Sequence, residues 1–218
     1  MTELCGSILA ANHAFVGRDL KLAEDAGVKR FHIDVCDGHY TPFFAFGDQL
    51  VKDLRETTSA VFEAHLAVHN MPAIAETFLN CGLDILTIQY ESCELPSRLI
   101  RRIRSAGLSP GISFIPATAY EQAEFFLDEV DFINVLGVDP GIGGQDFNPK
   151  VLKKIERIAE YITRHNLPAR ISVDGGVNPS TMKAVVDAGA DILTFGSAIF
   201  SGNIEENIDQ ISRGLKNE

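Results

Sequence analysis

Positive charge is scarce in this chain. Its 218 residues hold 19 Lys and Arg against 30 Asp and Glu, a formal net charge of −11. A field of that sign argues against nucleic acid as the main partner, because phosphate backbones are held by Lys and Arg. It leaves room for a small phosphate ester, which a few backbone N–H groups can hold. No apolar run approaches the ~20 residues needed to cross a bilayer. The first ten residues, M-T-E-L-C-G-S-I-L-A, carry Glu3 and no basic residue, so they lack the positive start and long apolar centre of a secretory signal. We therefore expect a cytoplasmic protein with no membrane partner. Cysteine is sparse too. Cys5, Cys36, Cys81 and Cys93 form no C-x-x-C pair, and in a cytoplasmic chain they read as reduced packing residues. A linker rich in Pro, Gly or Ser is also missing, as is any shift in composition. The expectation is one domain over residues 1–218, long enough to bury a core without disulfides.

What is present is alternation. Short apolar runs at Gly6–Ala10, Phe31–Val35, Val61–Ala67, Ile85–Gln89, Ser109–Ile115, Phe132–Leu136, Ala169–Val173 and Ile192–Phe195 read as strands. Amphipathic stretches separate them. Pro149–His165 places Val151, Leu152, Ile155, Ile158, Ala159 and Ile162 at helical spacing, behind a proline suited to a first turn. A second helix is expected from about Asn178, with Gly189 past its end, and a third over Pro72–Cys81, closed by Gly82. Eight strands alternating with helices pair in parallel through crossovers. At ~27 residues per unit the pattern predicts a compact α/β (β/α)8 TIM barrel. An open doubly wound sheet is the competing topology, but the glycine fingerprint expected after its first strand is missing.

Active sites of such barrels sit at the C-terminal ends of the strands. The second strand reads F-H-I-D-V-C-D-G, so His32, Asp34 and Cys36 share one face and Ile33 and Val35 the other. With the apolar pair against the helices, His32 and Asp34 face the barrel axis. His65 lies near the end of the third strand, and Asp174 ends the seventh. A lone H-x-D is more often a hydrogen-bonded core pair than a metal site. Two imidazoles and two carboxylates on three strand ends shift that balance towards a site. Their mixed N/O donor set suits one divalent ion: zinc, iron(II), manganese or cobalt.

Glycines follow the last three strands, in G-V-D-P-G-I-G-G-Q-D-F, D-G-G-V-N and F-G-S-A-I-F. One Gly-Gly would mean only a tight turn. Three such loops on one face point to a phosphate held by backbone N–H groups. The candidates are Gly141, Gly143, Gly144, Gly175, Gly176, Gly196 and Ser197.

These segments carry a resemblance. G-S-I-L-A-A-N, H-I-D-V-C-D-G-H-Y-T-P, E-A-H-L-A-V, P-A-T, V-D-P-G-I-G-G-Q-D-F-N-P-K, V-D-G-G-V-N and A-G-A-D-I-L-T-F-G-S-A-I-F are similar, in order, to the ribulose-phosphate 3-epimerase family. The resemblance implies a TIM barrel, a homo-oligomer, and proton transfer at C3 of a ketose phosphate such as D-ribulose 5-phosphate. It implies a divalent metal on His32, Asp34, His65 and Asp174. Asp34 and Asp174 would be the acid/base pair on opposite substrate faces. Ser7 and His65 would lie beside the substrate, and the glycine loops with Ser197 would hold its phosphate. Inverting C3 removes a proton from one face and returns one to the other, which is why two acid/base groups are wanted.

Some positions depart from the family pattern. Cys36, Ala67 and Leu136 stand where three methionines are usual, Asn12 where Asp is common, Phe43 and Ile115 where Asn is usual, and Gln89 where His is common. These changes imply altered walls around the sugar, and altered walls change substrate preference. A related 3-epimerase, acting for example on D-allulose 6-phosphate, is the first alternative. A sugar-phosphate decarboxylase or aldolase on the same barrel is the second, although D-V-C-D lacks the lysine of the decarboxylase pattern D-x-K-x-x-D. The aromatic loop Tyr40, Phe43, Phe44 and Phe46 reads as a lid or an oligomer contact. Arg98, Arg101, Arg102 and Arg104 read as a solvated helix face.

Overall fold

The computed structural model describes residues 2–141 and 144–216. Its strands are β1 (Glu3–Ser7), β2 (Arg30–Cys36), β3 (Val61–Ala67), β4 (Ile85–Gln89), β5 (Ser109–Phe114), β6 (Phe132–Leu136), β7 (Arg170–Asp174) and β8 (Ile192–Phe195). They pair in parallel in chain order, and β8 returns to β1 to close a barrel. The helices are α1 (Val16–Asp25), α2 (Asp48–Arg55), α3 (Met71–Phe78), α4 (Pro96–Ser105), α5 (Tyr120–Glu124), α6 (Leu152–His165), α7 (Met182–Asp187), α8 (Ser197–Phe200) and α9 (Ile204–Lys216). The fold is the (β/α)8 barrel, not the open sheet. Among the described residues no helix is long and apolar enough to cross a membrane.

Strand parity divides the interior into two environments. Phe31, Ile33 and Val35 of β2 and Phe62, Ala64 and Leu66 of β3 face outward and join the apolar core between sheet and helices. Burying each large side chain there contributes about 2 kcal/mol. The alternate residues face the axis, and many are polar: His32, Glu63, Thr87, Gln89, Ser113, Asn134 and Ser172 are all fully buried. A small separate cluster of Cys5, Ile85, Phe132 and Ile192 packs apart from the main core.

Four strands, β3, β4, β6 and β8, span the residues the apolar runs predict. The first does not. The expected Gly6–Ala10 becomes Glu3–Ser7, with Ile8–Ala10 in a 3-10 turn. The cause is pairing: Glu3 lies opposite Ile192 and Gly6 opposite Phe195, so β1 begins with β8 and its partner ends at Phe195. The expected long helix opens as a 3-10 turn at Pro149–Val151, capped by the Asn148 side chain, before α6. The helix expected from Asn178 starts at Met182. Asn178 and Thr181 instead form a turn, in which the Asn178 N–H donates to Thr181 Oγ1 at 3.0 Å. The third helix stops at Phe78 rather than Cys81, and Gly82 then turns the chain with φ +90°.

Candidate active site

The mouth of the barrel gathers the predicted residues. His32, Asp34, His65 and Asp174 each offer one donor atom, all within 4.8 Å of one another. His32 Nε2 lies 3.3 Å from Asp34 Oδ1 and 3.8 Å from Asp174 Oδ2. His65 Nδ1 lies 3.5 Å from the same Asp34 Oδ1. Among the described residues neither nitrogen has a hydrogen-bond partner, although both are buried. Orphaned buried nitrogens that converge on carboxylate oxygens are the arrangement a divalent cation satisfies. The four residues therefore fit such an ion.

Asp34 divides its oxygens. Oδ1 faces the imidazoles, while Oδ2 accepts a hydrogen bond from Ser7 Oγ at 3.0 Å. Burial pushes the two carboxyls up, but their neighbours separate them. The imidazoles of His32 and His65 hold Asp34 well below the usual carboxylate range. For Asp174 burial wins, helped by the like charge of Asp34, and its pKa rises to about 6. Burial lowers the His32 value, yet Asp34 and Asp174 together raise it well above that of an ordinary imidazole. A proton and a cation thus compete for the His32 lone pair. Two carboxyls pushed in opposite directions are what an acid/base pair requires.

A cavity of about 350 Å³ opens above the cluster. Ser7, Asp34, His65 and Asp174 line it, together with Gly141, Gly144, Gly175, Gly176, Gly196 and Ser197. Gly143 lies outside the described residues. Gly176 has φ +72°, and a Cβ there would sit 2.6 Å from the Phe147 backbone. The chain path alone requires glycine at that position. No Lys or Arg is among the described residues lining the cavity, so an anion there would depend on backbone N–H groups and neutral polar side chains. Cys36, Ala67, Leu136 and Phe43 form parts of the wall, whereas Phe44 is 80% exposed. On α4, Arg102 pairs with Glu76 and Arg104 with Asp131 at the surface, as a solvated face would.

Glu63 and Gln89 complete the site, and reading the chain for strand-end residues does not find their roles. Glu63 is two residues before His65 and shares its parity, which is the signal that would have exposed it. Its Oε1 lies 3.9 Å from His32 Nδ1 and accepts from Thr87 Oγ1 at 2.8 Å. Gln89 Oε1 lies 2.8 Å from His65 Nε2.

A closed (β/α)8 barrel that gathers two imidazoles and two oppositely shifted carboxyls at the mouth of one cavity belongs to the class of barrel enzymes that move protons on a small molecule. Within that class, the model of the ribulose-phosphate 3 epimerase family matches residues 3–200, and the chain belongs to that family. It is an isomerase, an epimerase acting on carbohydrate. It is 35% identical to ribulose-phosphate 3-epimerase of Methanocaldococcus jannaschii over 217 residues, covering 100% of this chain and 89% of that one. It is 33% identical to the Bacillus subtilis ribulose-phosphate 3-epimerase, covering 99% and 100%. Among solved structures, KGPDC from Streptococcus mutans superposes with TM-score 0.75 at 16% identity, covering 100% of this chain and 98% of that one. Phosphoribosyl anthranilate isomerase from Thermus thermophilus superposes with TM-score 0.70 at 14% identity, covering 99% of each. At such identities the superpositions speak to the fold alone.

Proposed function

We propose that this enzyme inverts C3 of a ketose phosphate, interconverting D-ribulose 5-phosphate and D-xylulose 5-phosphate. The observation that carries the reading is the pair Asp34 and Asp174, brought together at the mouth with their carboxyls shifted in opposite directions. The C3 hydrogen, next to the C2 ketone, is a weak acid. One carboxylate removes it from one face and the other returns a proton to the opposite face. Asp34 Oδ2, on the Ser7 side, is free of the imidazoles and is the oxygen we assign to proton transfer. Ser7 orients that oxygen and stands beside the substrate. His32, Asp34, His65 and Asp174 would hold one zinc, iron(II), manganese or cobalt ion. When bound, the ion supplies positive charge where negative charge develops on the substrate. Gly141, Gly144, Gly175, Gly176, Gly196 and Ser197 are assigned to the phosphate.

The test is a panel of ketose phosphates and their unphosphorylated counterparts in deuterium oxide, followed by NMR. The expected result is deuterium at C3 of the inverted product, from phosphorylated substrates only. Chelation should abolish it, and one of the four ions should restore it. Carbon dioxide or a carbon–carbon cleavage product in place of the epimer would instead favour a decarboxylase or an aldolase.

A further inference from the structure

The two histidines at the mouth present different nitrogens to it. His32 turns Nε2 towards Asp34 and His65 turns Nδ1. An imidazole that offers a lone pair at one nitrogen must carry its proton on the other, and the hydrogen bond made there decides which. The partner of His65 is Gln89, fully buried, with Oε1 at 2.8 Å from Nε2. A side-chain amide can turn over, so its orientation needs a cause. Gln89 Nε2 donates to the Glu91 carboxylate and to the Ser113 carbonyl oxygen, the latter at 3.3 Å. Both are acceptors only. The amide nitrogen must face them, and the amide oxygen must then face His65. Glu91 is itself held, by the Ile115 N–H at 3.0 Å and by the Thr118 hydroxyl. A chain of hydrogen bonds thus runs from the loop after β5, through Gln89, to the mouth.

We propose that Gln89, oriented by Glu91 and Ser113, is a positioning residue that keeps the His65 proton on Nε2 and so aims the Nδ1 lone pair at the metal cluster. The part that concerns metal rests on the reading that His32, Asp34, His65 and Asp174 hold a divalent ion. The tautomer does not. Without the Gln89 oxygen, the acceptor left to His65 is Asp34 Oδ1, 3.5 Å from Nδ1. The proton would move there and block the lone pair.

The experiment uses the full chain labelled with ¹⁵N-histidine, with His65 assigned by difference against His65→Asn. In metal-free native protein the ¹⁵N shifts should place the proton on Nε2. Gln89→Met, of similar volume, should move it to Nδ1 and weaken Co²⁺ binding in a chelator competition by ~10-fold or more, the scale for residues that brace a ligand. Gln89→His should restore both readouts, because one imidazole nitrogen can accept from His65 while the single N–H on the other donates to either the Glu91 carboxylate or the Ser113 carbonyl oxygen. A native His65 protonated on Nδ1 would overturn the proposal. So would a folded Gln89→Met that keeps the native tautomer, or one that binds Co²⁺ within about twofold of native. Should Gln89→Met not fold, the native tautomer and the Gln89→His variant decide. If native protein fails to bind Co²⁺, the metal reading falls, while the tautomer comparison still decides the role of Gln89.

Discussion

The two ends of the barrel interior are built by the same strands with the same parity, yet they hold charge in opposite ways. At the N-terminal end Glu3 accepts from Arg30 Nε at 2.9 Å and from Arg170 Nη1 at 2.7 Å. Arg30 also lies 3.7 Å from Glu63 and stacks 4.9 Å from the Phe132 ring centroid, beside the apolar cluster that includes Cys5 and Ile85. Both of these carboxylates have a guanidinium within reach. At the C-terminal end Asp34 and Asp174 face two imidazoles, and no Lys or Arg lines the cavity among the described residues. The step from one regime to the other is short: Arg30 to His32 and Asp34 along β2, Glu63 to His65 along β3, Arg170 to Asp174 along β7. Charge neutralised within the chain serves stability. Charge left with unpaired lone pairs awaits a ligand, because a buried ion without a partner is costly.

The largest effect tests the mouth. Asp34→Asn and Asp174→Asn should each lower epimerisation by ~10²-fold or more, the scale of a positioned acid or base. Asp174→Asn should not lower the melting temperature, since burial disfavours its charge, whereas Asp34→Asn removes a carboxylate that His32, His65 and Ser7 stabilise and should lower it. Metal analysis must accompany the assay, because both residues are proposed ligands. An Asp174→Asn enzyme that holds its metal and inverts C3 at the native rate would break the comparison. Next, a divalent ion at ~100 times its Kd should stabilise the native protein by about 2.7 kcal/mol. That corresponds to a rise of roughly 5–10 °C in Tm for a chain of this size. His32→Ala should abolish the rise, read by thermal melting with and without Co²⁺.

The N-terminal end should behave in the opposite manner. Glu3→Gln leaves Arg30 and Arg170 without their shared carboxylate and should cost about 2 kcal/mol in urea unfolding, with kcat unchanged. A kcat loss equal to that at the mouth would show that the two ends are not separable. The smallest effect is a pH dependence. Burial pushes Glu3 up, but Arg30 and Arg170 hold it below its ordinary value of 4.5. A carboxylate depressed in the folded state contributes its stability above the unfolded value and loses it as pH falls through the folded one. The native protein should therefore lose more stability than Glu3→Gln between pH ~6 and pH ~3.5, measured by urea midpoints.

Much of this was legible along the chain, for reasons that differ by residue. Ile192–Phe195 lies between Asp191 and Gly196, so its bounds could be read directly. The run L-C-G-S-I-L-A-A has no such break, and only pairing with β8 places β1 at Glu3–Ser7. His32 and Asp34 could be assigned to one face because strand parity is local. Glu63 shared that signal with His65 but not its position at a strand end. Gln89 read as a change of residue type rather than as a partner of His65. That contact spans 24 positions and depends on the register of β3 with β4.

By itself, then, the sequence determined the repeat of strand and helix, the inward parity of His32, Asp34, His65 and Asp174, and the glycines after the last three strands. These are properties of period and local sterics, which act over a few residues. Only the closed barrel decided which of those inward groups meet. Closure gave Glu3 its two arginines and, among the described residues, put none in the cavity that Asp34 and Asp174 line. It also turned Asp34 Oδ1 to the imidazoles and Oδ2 to Ser7, and set an amide behind His65 but a carboxylate behind His32. Proton location and carboxyl acidity follow from neighbours within a few ångströms, and in a barrel those neighbours come from other strands.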